Sequence, residues 1–196
     1  NVAVGSLAGR NLTTGNSNIL IGYSAGNQIL TGDNNVLVGY LAGDNITTGD
    51  SNIAIGKHAL GTENTGDRNV AIGHEALESL DFDGNGYNIA IGYQAGHDVS
   101  TGIFNTLVGG EAGDKITTGS RNTILGYDAG GSLTEGERSV AIGDAALATA
   151  TTQSFNVAVG SGALNLATSA ENVAVGYRAG AATSSSGANT YVGYQA

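Results

Sequence analysis

The chain repeats itself about every 17 residues along its whole length. Twelve units can be aligned on an opening Asn, replaced once by Ser, and the spacing departs from 17 only twice, to 19 and to 16. Helical repeat proteins need about 33 residues or more per unit, and each frequent glycine would cost about 1 kcal/mol in a helix. A unit of this size matches one coil of a β-solenoid, whose coils pair through main-chain hydrogen bonds. The units open at Asn1, Asn18, Asn35, Asn52, Asn69, Asn88, Asn105, Asn122, Ser139, Asn156, Asn172 and Asn189.

Several positions within the unit are nearly fixed. The fifth is Gly and the eighth is Ala in all twelve units, while positions two and four are β-branched or Leu throughout. Another apolar position follows at twelve, as in Ile29 and Ile46. This pattern predicts an all-β, parallel β-solenoid of about twelve 17-residue coils, with a strand at positions two to four and a second near position twelve. We expect residues 1–196 to form a single solenoid domain, a rod about 57 Å long that is a fragment of a longer fibre protein.

The opening Asn predicts a ladder of stacked amides along the rod, each bonded to its copies above and below. The alternative is that Asn is present because it tolerates the backbone of a turn.

Position three raises the question of what covers the sheet. We expect positions two and four to face the core, so position three points to the other side of the strand, yet no unit has a charged or strongly polar residue there. A strand that is apolar on both faces is normally covered on both faces. We therefore expect position three to pack against other copies of the chain, the alternatives being a monomer with an apolar face or a cover of different protein. The predicted intersubunit residues are Ala3, Leu20, Leu37, Ala54, Ala71, Ala90, Leu107, Ile124, Ala141, Ala158, Ala174 and Tyr191.

Composition excludes several classes of partner. Seventeen acidic and seven basic residues give a formal charge of -10, so nucleic acid would be repelled. No apolar run approaches the roughly 18 residues of a membrane helix, and no signal peptide opens the chain. The absence of cysteine excludes a disulfide framework.

Short strings at the start of the units resemble a known family. "NVAIG" at 69–73 and "SVAIG" at 139–143 resemble the head-domain repeats of trimeric autotransporter adhesins, and "NIAIGYQAG" at 88–96 is similar to related repeats of bacteriophage tail fibres. The resemblance implies a left-handed parallel β-roll in which three chains surround one axis and positions one to five line the trimer interior. It also implies an extracellular location, on a cell or virion surface, and a role in surface attachment, with a host-surface protein or glycan as partner. Each coil is longer than the adhesin repeat of about 14 residues. The additional residues would lie in the part of the coil outside the strand, which we call the outward arm.

The 19-residue unit contains the string "DFDGNG" at 81–86. Asp81, Asp83 and Asn85 alternate oxygen ligands as calcium loops do, while Gly84 and Gly86 would let the backbone wrap the ion. The match is partial, because Gly92 stands where an EF-hand has its closing Glu. The sequence thus predicts a calcium site, with a surface bulge rich in turn-forming residues as the alternative; no other cofactor is expected.

The remaining chemistry is sparse. His58, His74 and His97 occupy repeat positions seven, six and ten, so stacking does not predict that they form one metal site. No Ser, His and Asp occupy matched positions, and only carboxylate pairs such as Glu75 and Glu78 remain for catalysis. We expect no enzymatic activity and no catalytic residue.

The sequence as a whole predicts a structural segment of an extracellular trimeric fibre, either an adhesin head or stalk or a phage tail fibre. One alternative is a monomeric ice-binding solenoid, suggested by the Thr that recurs at position fourteen. A tailspike-like protein that binds or degrades polysaccharide is the other.

Overall fold

The computed structural model describes residues 1–182 and 187–196, and in them each coil contributes one three-residue strand to a single parallel sheet. The strands follow one another in chain order, and each pairs in register with the next, so that Ala54 lies opposite Ala71 and Ala71 opposite Ala90. The predicted parallel β-solenoid is therefore confirmed. The strands are β1 (Val2–Val4), β2 (Ile19–Ile21), β3 (Val36–Val38), β4 (Ile53–Ile55), β5 (Val70–Ile72), β6 (Ile89–Ile91), β7 (Thr106–Val108), β8 (Thr123–Leu125), β9 (Val140–Ile142), β10 (Val157–Val159), β11 (Val173–Val175) and β12 (Thr190–Val192).

The rest of each coil consists of turns, and the second strand expected near position twelve is absent from the described residues. Positions seven, nine and seventeen take left-handed backbone angles, as in His58 (φ 55°), Leu60 (φ 54°) and Arg68 (φ 59°). Left-handed residues interrupt an extended chain, so the backbone cannot run straight there. The coils still pair in this arm through main-chain hydrogen bonds, for example from Leu30 N to Thr47 O at 2.8 Å.

The glycine at position five is required by the stacking of coils. Its φ lies between 129° and 145° in every coil, a region that L side chains rarely adopt. A Cβ built on Gly109 would also lie 2.4 Å from the carbonyl oxygen of Gly126 in the next coil. Any larger residue would therefore separate neighbouring coils.

The opening asparagines form a buried ladder, as predicted, but its bonds run mainly from side chain to main chain. Oδ1 of Asn35 accepts a hydrogen bond of 2.9 Å from the backbone N–H of Asn52, and its Nδ2 donates to Gly49 O across the same coil at 2.8 Å. Where Ser replaces Asn, the Oγ of Ser139 accepts instead from the N–H of Asn156 at 3.2 Å. The ladder therefore links neighbouring coils and, through the amide Nδ2, closes seven of the described coils.

Position three faces the interior of the coil, so the predicted assignment of the two strand faces is wrong. Side chains alternate along a strand, and here the middle residue of each strand points inward while positions two and four point out. Ala3 is exposed in the terminal coil and Tyr191 packs partly buried against the core. The ten other residues assigned to a trimer interface are fully buried within one chain: Leu20, Leu37, Ala54, Ala71, Ala90, Leu107, Ile124, Ala141, Ala158 and Ala174.

Two positions share the filling of this narrow core. Where position three is Leu, as in Leu37, position nine is Gly, whose built Cβ would lie 2.8 Å from the Leu side chain. Where position three is Ala, as in Ala54 and Ala71, position nine is either a buried Leu, as in Leu60 and Leu77, or a Gly. In the latter case a large residue at position three of the next coil fills the space, since a Cβ on Gly96 would lie 2.5 Å from Leu107. The core therefore admits about one large side chain per layer at this point.

This complementarity predicts a rescue. Replacing Leu37 by Ala should lower the free energy of unfolding by about 2–5 kcal/mol, because it leaves a cavity in a close-packed core. Adding Gly43→Leu should restore part of the loss, since Gly43 already has the backbone angle (φ 54°) that Leu60 adopts. Urea denaturation of both single variants and the double variant measures the coupling; strict additivity of the two changes would contradict this account of the core.

The apolar column at position twelve contains one charged residue. Glu63 is fully buried at a position where the other coils within residues 1–182 have Leu, Ile, Val or Ala. Its Oε1 accepts hydrogen bonds from the backbone N–H groups of Asn64, Thr65 and Gly66, at 2.7 to 3.2 Å. Burial nevertheless raises the pKa of Glu63 above its ordinary value of 4.5, against the opposing effect of these backbone donors.

A raised carboxyl pKa in the folded state means that the folded chain binds the proton more tightly than the unfolded chain does. Glu63 should therefore favour the folded state at low pH and lose that contribution as the pH rises from 4.5 through the raised value. We expect Glu63→Gln to increase the free energy of unfolding at neutral pH and to remove this part of the pH dependence. Denaturation across the pH range, with exposed Glu135→Gln as control, checks it; equal pH profiles for the wild type and Glu63→Gln would contradict it.

Candidate assembly surface

Positions two and four form a partly exposed apolar stripe on the outer face of the sheet, which we call the outer stripe. Twenty-one of its 24 side chains are Val, Ile or Leu, and the other three are Thr. Exposure reaches 38% for Ile89 and 45% for Leu125 away from the chain ends. The outer stripe comprises Val2, Val4, Ile19, Ile21, Val36, Val38, Ile53, Ile55, Val70, Ile72, Ile89, Ile91, Thr106, Val108, Thr123, Leu125, Val140, Ile142, Val157, Val159, Val173, Val175, Thr190 and Val192.

The outer stripe is about as large as the largest apolar patches of soluble monomers, which are often functional. Twelve strands of three residues, at about 4.8 Å between strands and about 3.3 Å per residue, cover roughly 550 Å². The largest apolar patch of a soluble monomer is typically about 300–600 Å², and parallel sheets normally have both faces covered. The outer stripe therefore has the properties of a surface that another molecule covers.

Aromatic side chains border the outer stripe on both sides. On the side of position six, Tyr23 stacks on Tyr40 with ring centroids 5.3 Å apart. On the side of position seventeen, Tyr87 stacks on Phe104 at 5.5 Å, and the guanidinium of Arg121 lies 5.3 Å from the Phe104 ring. These rings are between 43% and 49% exposed, so they extend the apolar surface beyond the two columns.

Two features of the sequence indicate that positions two and four, and not position three, form the outer face of the sheet. Thr occupies position two in three units, as Thr106, Thr123 and Thr190, whereas no unit has a polar side chain of that kind at position three. The reciprocal sizes at positions three and nine, such as Leu37 with Gly43, carry the same information. Both features indicate that position three is the one enclosed.

The predicted calcium ligands lie on exposed backbone in the 19-residue coil. Asp81, Asp83 and Asn85 are all exposed. Oδ1 of Asp83 accepts a hydrogen bond from the Thr65 hydroxyl, and Oδ1 of Asn85 accepts one from the Arg68 guanidinium. Two of the three proposed ligand oxygens thus have protein donors, and calcium binding here stays a prediction.

The structure brings one histidine, His97, next to the carboxylate pair Glu75 and Glu78. Nε2 of His97 lies 2.9 Å from Oε2 of Glu78 and 4.0 Å from Oε2 of Glu75. The turn between positions seven and ten, closed by the hydrogen bond from His97 N to Gln94 O at 3.2 Å, brings these two positions together. Among the described residues, the group whose ligand atoms lie within 4.8 Å of one another consists of Glu75, Glu78 and His97, so it includes one of the three histidines.

Hydrogen bonds fix the charges around this cluster. A bond of 2.7 Å from Gln94 Nε2 lowers the pKa of Glu75. Burial acts to raise the pKa of Asp98, but its bonds to His97 and Lys115 outweigh this and lower it. Both carboxylates are therefore ionised at neutral pH.

No model of a protein family, no curated protein and no solved structure matches this chain. Among the described residues there is also no helix with the length and apolar character needed to cross a membrane.

Opposite faces of one strand predict opposite responses to charge. Ala90→Glu should prevent folding or cost more than about 3 kcal/mol, because Ala90 is fully buried and a buried carboxylate would lack partners. Ile91→Glu should leave the chain folded, because Ile91 already faces out. Circular dichroism during urea denaturation distinguishes the two; a folded Ala90→Glu variant would show that the assignment of faces is wrong.

Proposed function

We propose that this chain is a rigid rod segment of an extracellular fibre in which three copies pack together through their outer stripes. The observation that carries the proposal is the outer stripe itself, which is apolar, free of charged residues and continuous from β1 to β12. Burying a fully exposed Ile or Val contributes about 1.5–3 kcal/mol, and these side chains, less than half exposed away from the chain ends, would each contribute part of that when other chains cover them. Association would therefore hide the surface that a single chain leaves in water.

A second copy of the same chain is the partner that best fits the outer stripe. The stripe repeats with the spacing of the coils, about 4.8 Å, over the full sheet, so its partner needs the same spacing and the same length. Another copy provides both. The stripe also offers no charge that would select a different protein, whereas specificity for unlike partners usually requires complementary charges.

A closed ring of three copies would use both columns of the outer stripe in every chain. Position two and position four are separate columns, so each chain can present one column to each of two neighbours. Such head-to-tail contacts close into a ring when the rotation between chains is right. The resemblance of "NVAIG" and "SVAIG" to trimeric adhesin repeats supports three as that number.

The location and role in the proposal rest on the same resemblance. Adhesin heads and phage tail fibres both act outside the cell, in attachment to a surface. The solenoid fits the mechanical part of that role, because in-register main-chain hydrogen bonds connect every coil to the next. Contact with a host protein or glycan would use the outward arms of the coils.

Light scattering tests the proposal directly. The wild type should have a mass of about 58 kDa, three times the chain mass of 19.4 kDa. The double variant Ile55→Glu/Ile91→Glu places charge within the outer stripe and should be a folded monomer. The control Thr48→Glu/Thr118→Glu adds the same charge at exposed position fourteen and should remain trimeric.

The other outcomes are equally informative. A wild-type mass of one chain would overturn the assembly, and a mass of two chains would replace the three-chain ring by a face-to-face dimer. A monomer that also shows thermal hysteresis in freezing solutions would favour the ice-binding alternative.

A further inference from the structure

We propose that Glu75, Glu78 and His97 form a binding site for a transition-metal ion, with zinc as the best fit. One ligand atom from each of the three residues lies within 4.8 Å of those from the other two. Two of these separations, 2.9 Å and 4.0 Å, are those from Nε2 of His97 to the two carboxylates. Ligand atoms around tetrahedral zinc are roughly 3.3 Å apart, given bonds of about 2.0–2.1 Å, so small side-chain rotations would complete the site.

The orientation of the imidazole is what distinguishes this cluster from ordinary acidic surface. Nδ1 of His97 lies 2.6 Å from Oδ1 of Asp98, and donation of the Nδ1 proton to that carboxylate leaves Nε2 as an acceptor in the neutral ring. Nε2 then directs a lone pair at the oxygen of Glu78, 2.9 Å away. Two facing lone pairs repel each other, and a cation placed between them removes the repulsion. A carboxylate that orients a metal-binding histidine through its other nitrogen is a common feature of zinc sites.

The other histidines lie at the border of the same cluster. Nδ1 of His58 is 4.0 Å from Oε1 of Glu78. Nδ1 of His74 is 3.5 Å from Oε2 of Glu75, and this nitrogen is buried without a hydrogen-bond partner. All three histidines of the chain thus approach one of two glutamates, although they come from three different coils.

The donor set favours zinc or a similar ion over calcium. Imidazole nitrogen together with carboxylate oxygen suits zinc and its neighbours among the divalent metals, whereas calcium prefers oxygen ligands alone. The three ligands and Asp98 are partly exposed, with side-chain exposures from 20% to 36%. An ion can therefore enter, and water can occupy a remaining coordination position. The site is independent of the proposed assembly, since none of its residues belongs to the outer stripe.

Isothermal titration of the whole chain with zinc chloride at about pH 7.5, where histidine is mostly neutral, tests the site. We expect one zinc ion per chain, and at least tenfold weaker binding in Glu78→Gln and in His97→Gln. Asp98→Asn should weaken binding by about 10–100-fold, because it removes the group that orients the ring. The matched control is Glu111→Gln, which stands at position seven like Glu75 but two coils further along, and it should change the affinity by less than about twofold.

The experiment has clear contrary results. Absence of zinc binding would overturn the proposal. Binding that Glu78→Gln and His97→Gln leave unchanged would place the ion elsewhere on the acidic surface. A parallel titration with calcium chloride, repeated on Asp83→Asn, separates this site from the predicted calcium loop.

Discussion

The whole molecule depends on stacking each coil on the next in register, at the spacing of one strand. Main-chain hydrogen bonds connect the coils both in the sheet and in the turns of the outward arm. Because of this, every position of the repeat becomes a column, and a residue is constrained chiefly by its copies directly above and below. The glycines at position five show how strict this is, since a Cβ on Gly109 would lie 2.4 Å from the next backbone.

The same stacking explains why polar and charged residues can be buried in so thin a structure. Asn35 is fully buried, but its acceptor and its donor are both used, one by the next coil and one by its own. An unsatisfied buried polar group would cost about 1–3 kcal/mol. The ladder avoids this cost, and the same hydrogen bonds connect neighbouring coils. Glu63 is the exception in the apolar column, and three backbone N–H groups offset only part of its burial.

The sequence predicts the architecture well because periodicity alone determines it. The period, the strand at positions two to four and the buried asparagines were all predictable from the spacing of Asn18, Asn35 and their counterparts. Alternation alone did not show which strand face is inside, because both faces are apolar. The size relation between positions three and nine decides it, but that relation spans two coils where Leu107 fills the space beside Gly96. The cluster of Glu75, Glu78 and His97 was not predicted, because repeat positions seven and ten were treated as separate columns. The turn between these positions makes them neighbours.

In a solenoid each repeat position forms its own column, so the residues of one column can vary independently of those of another. Under the proposed assembly the outer stripe has to stay uniform, because one charged residue would be repeated against each neighbouring chain of a symmetric assembly. The outward arm has no such constraint, so it can hold residues that occur once, such as the three histidines beside Glu75 and Glu78. Columns two and four are accordingly almost invariant in character, while columns seven and ten range from Leu7 and Gly61 to Glu75 and His97. The proposed assembly would therefore require repetition on the sheet face and leave the turns of the outward arm free to acquire individual binding sites.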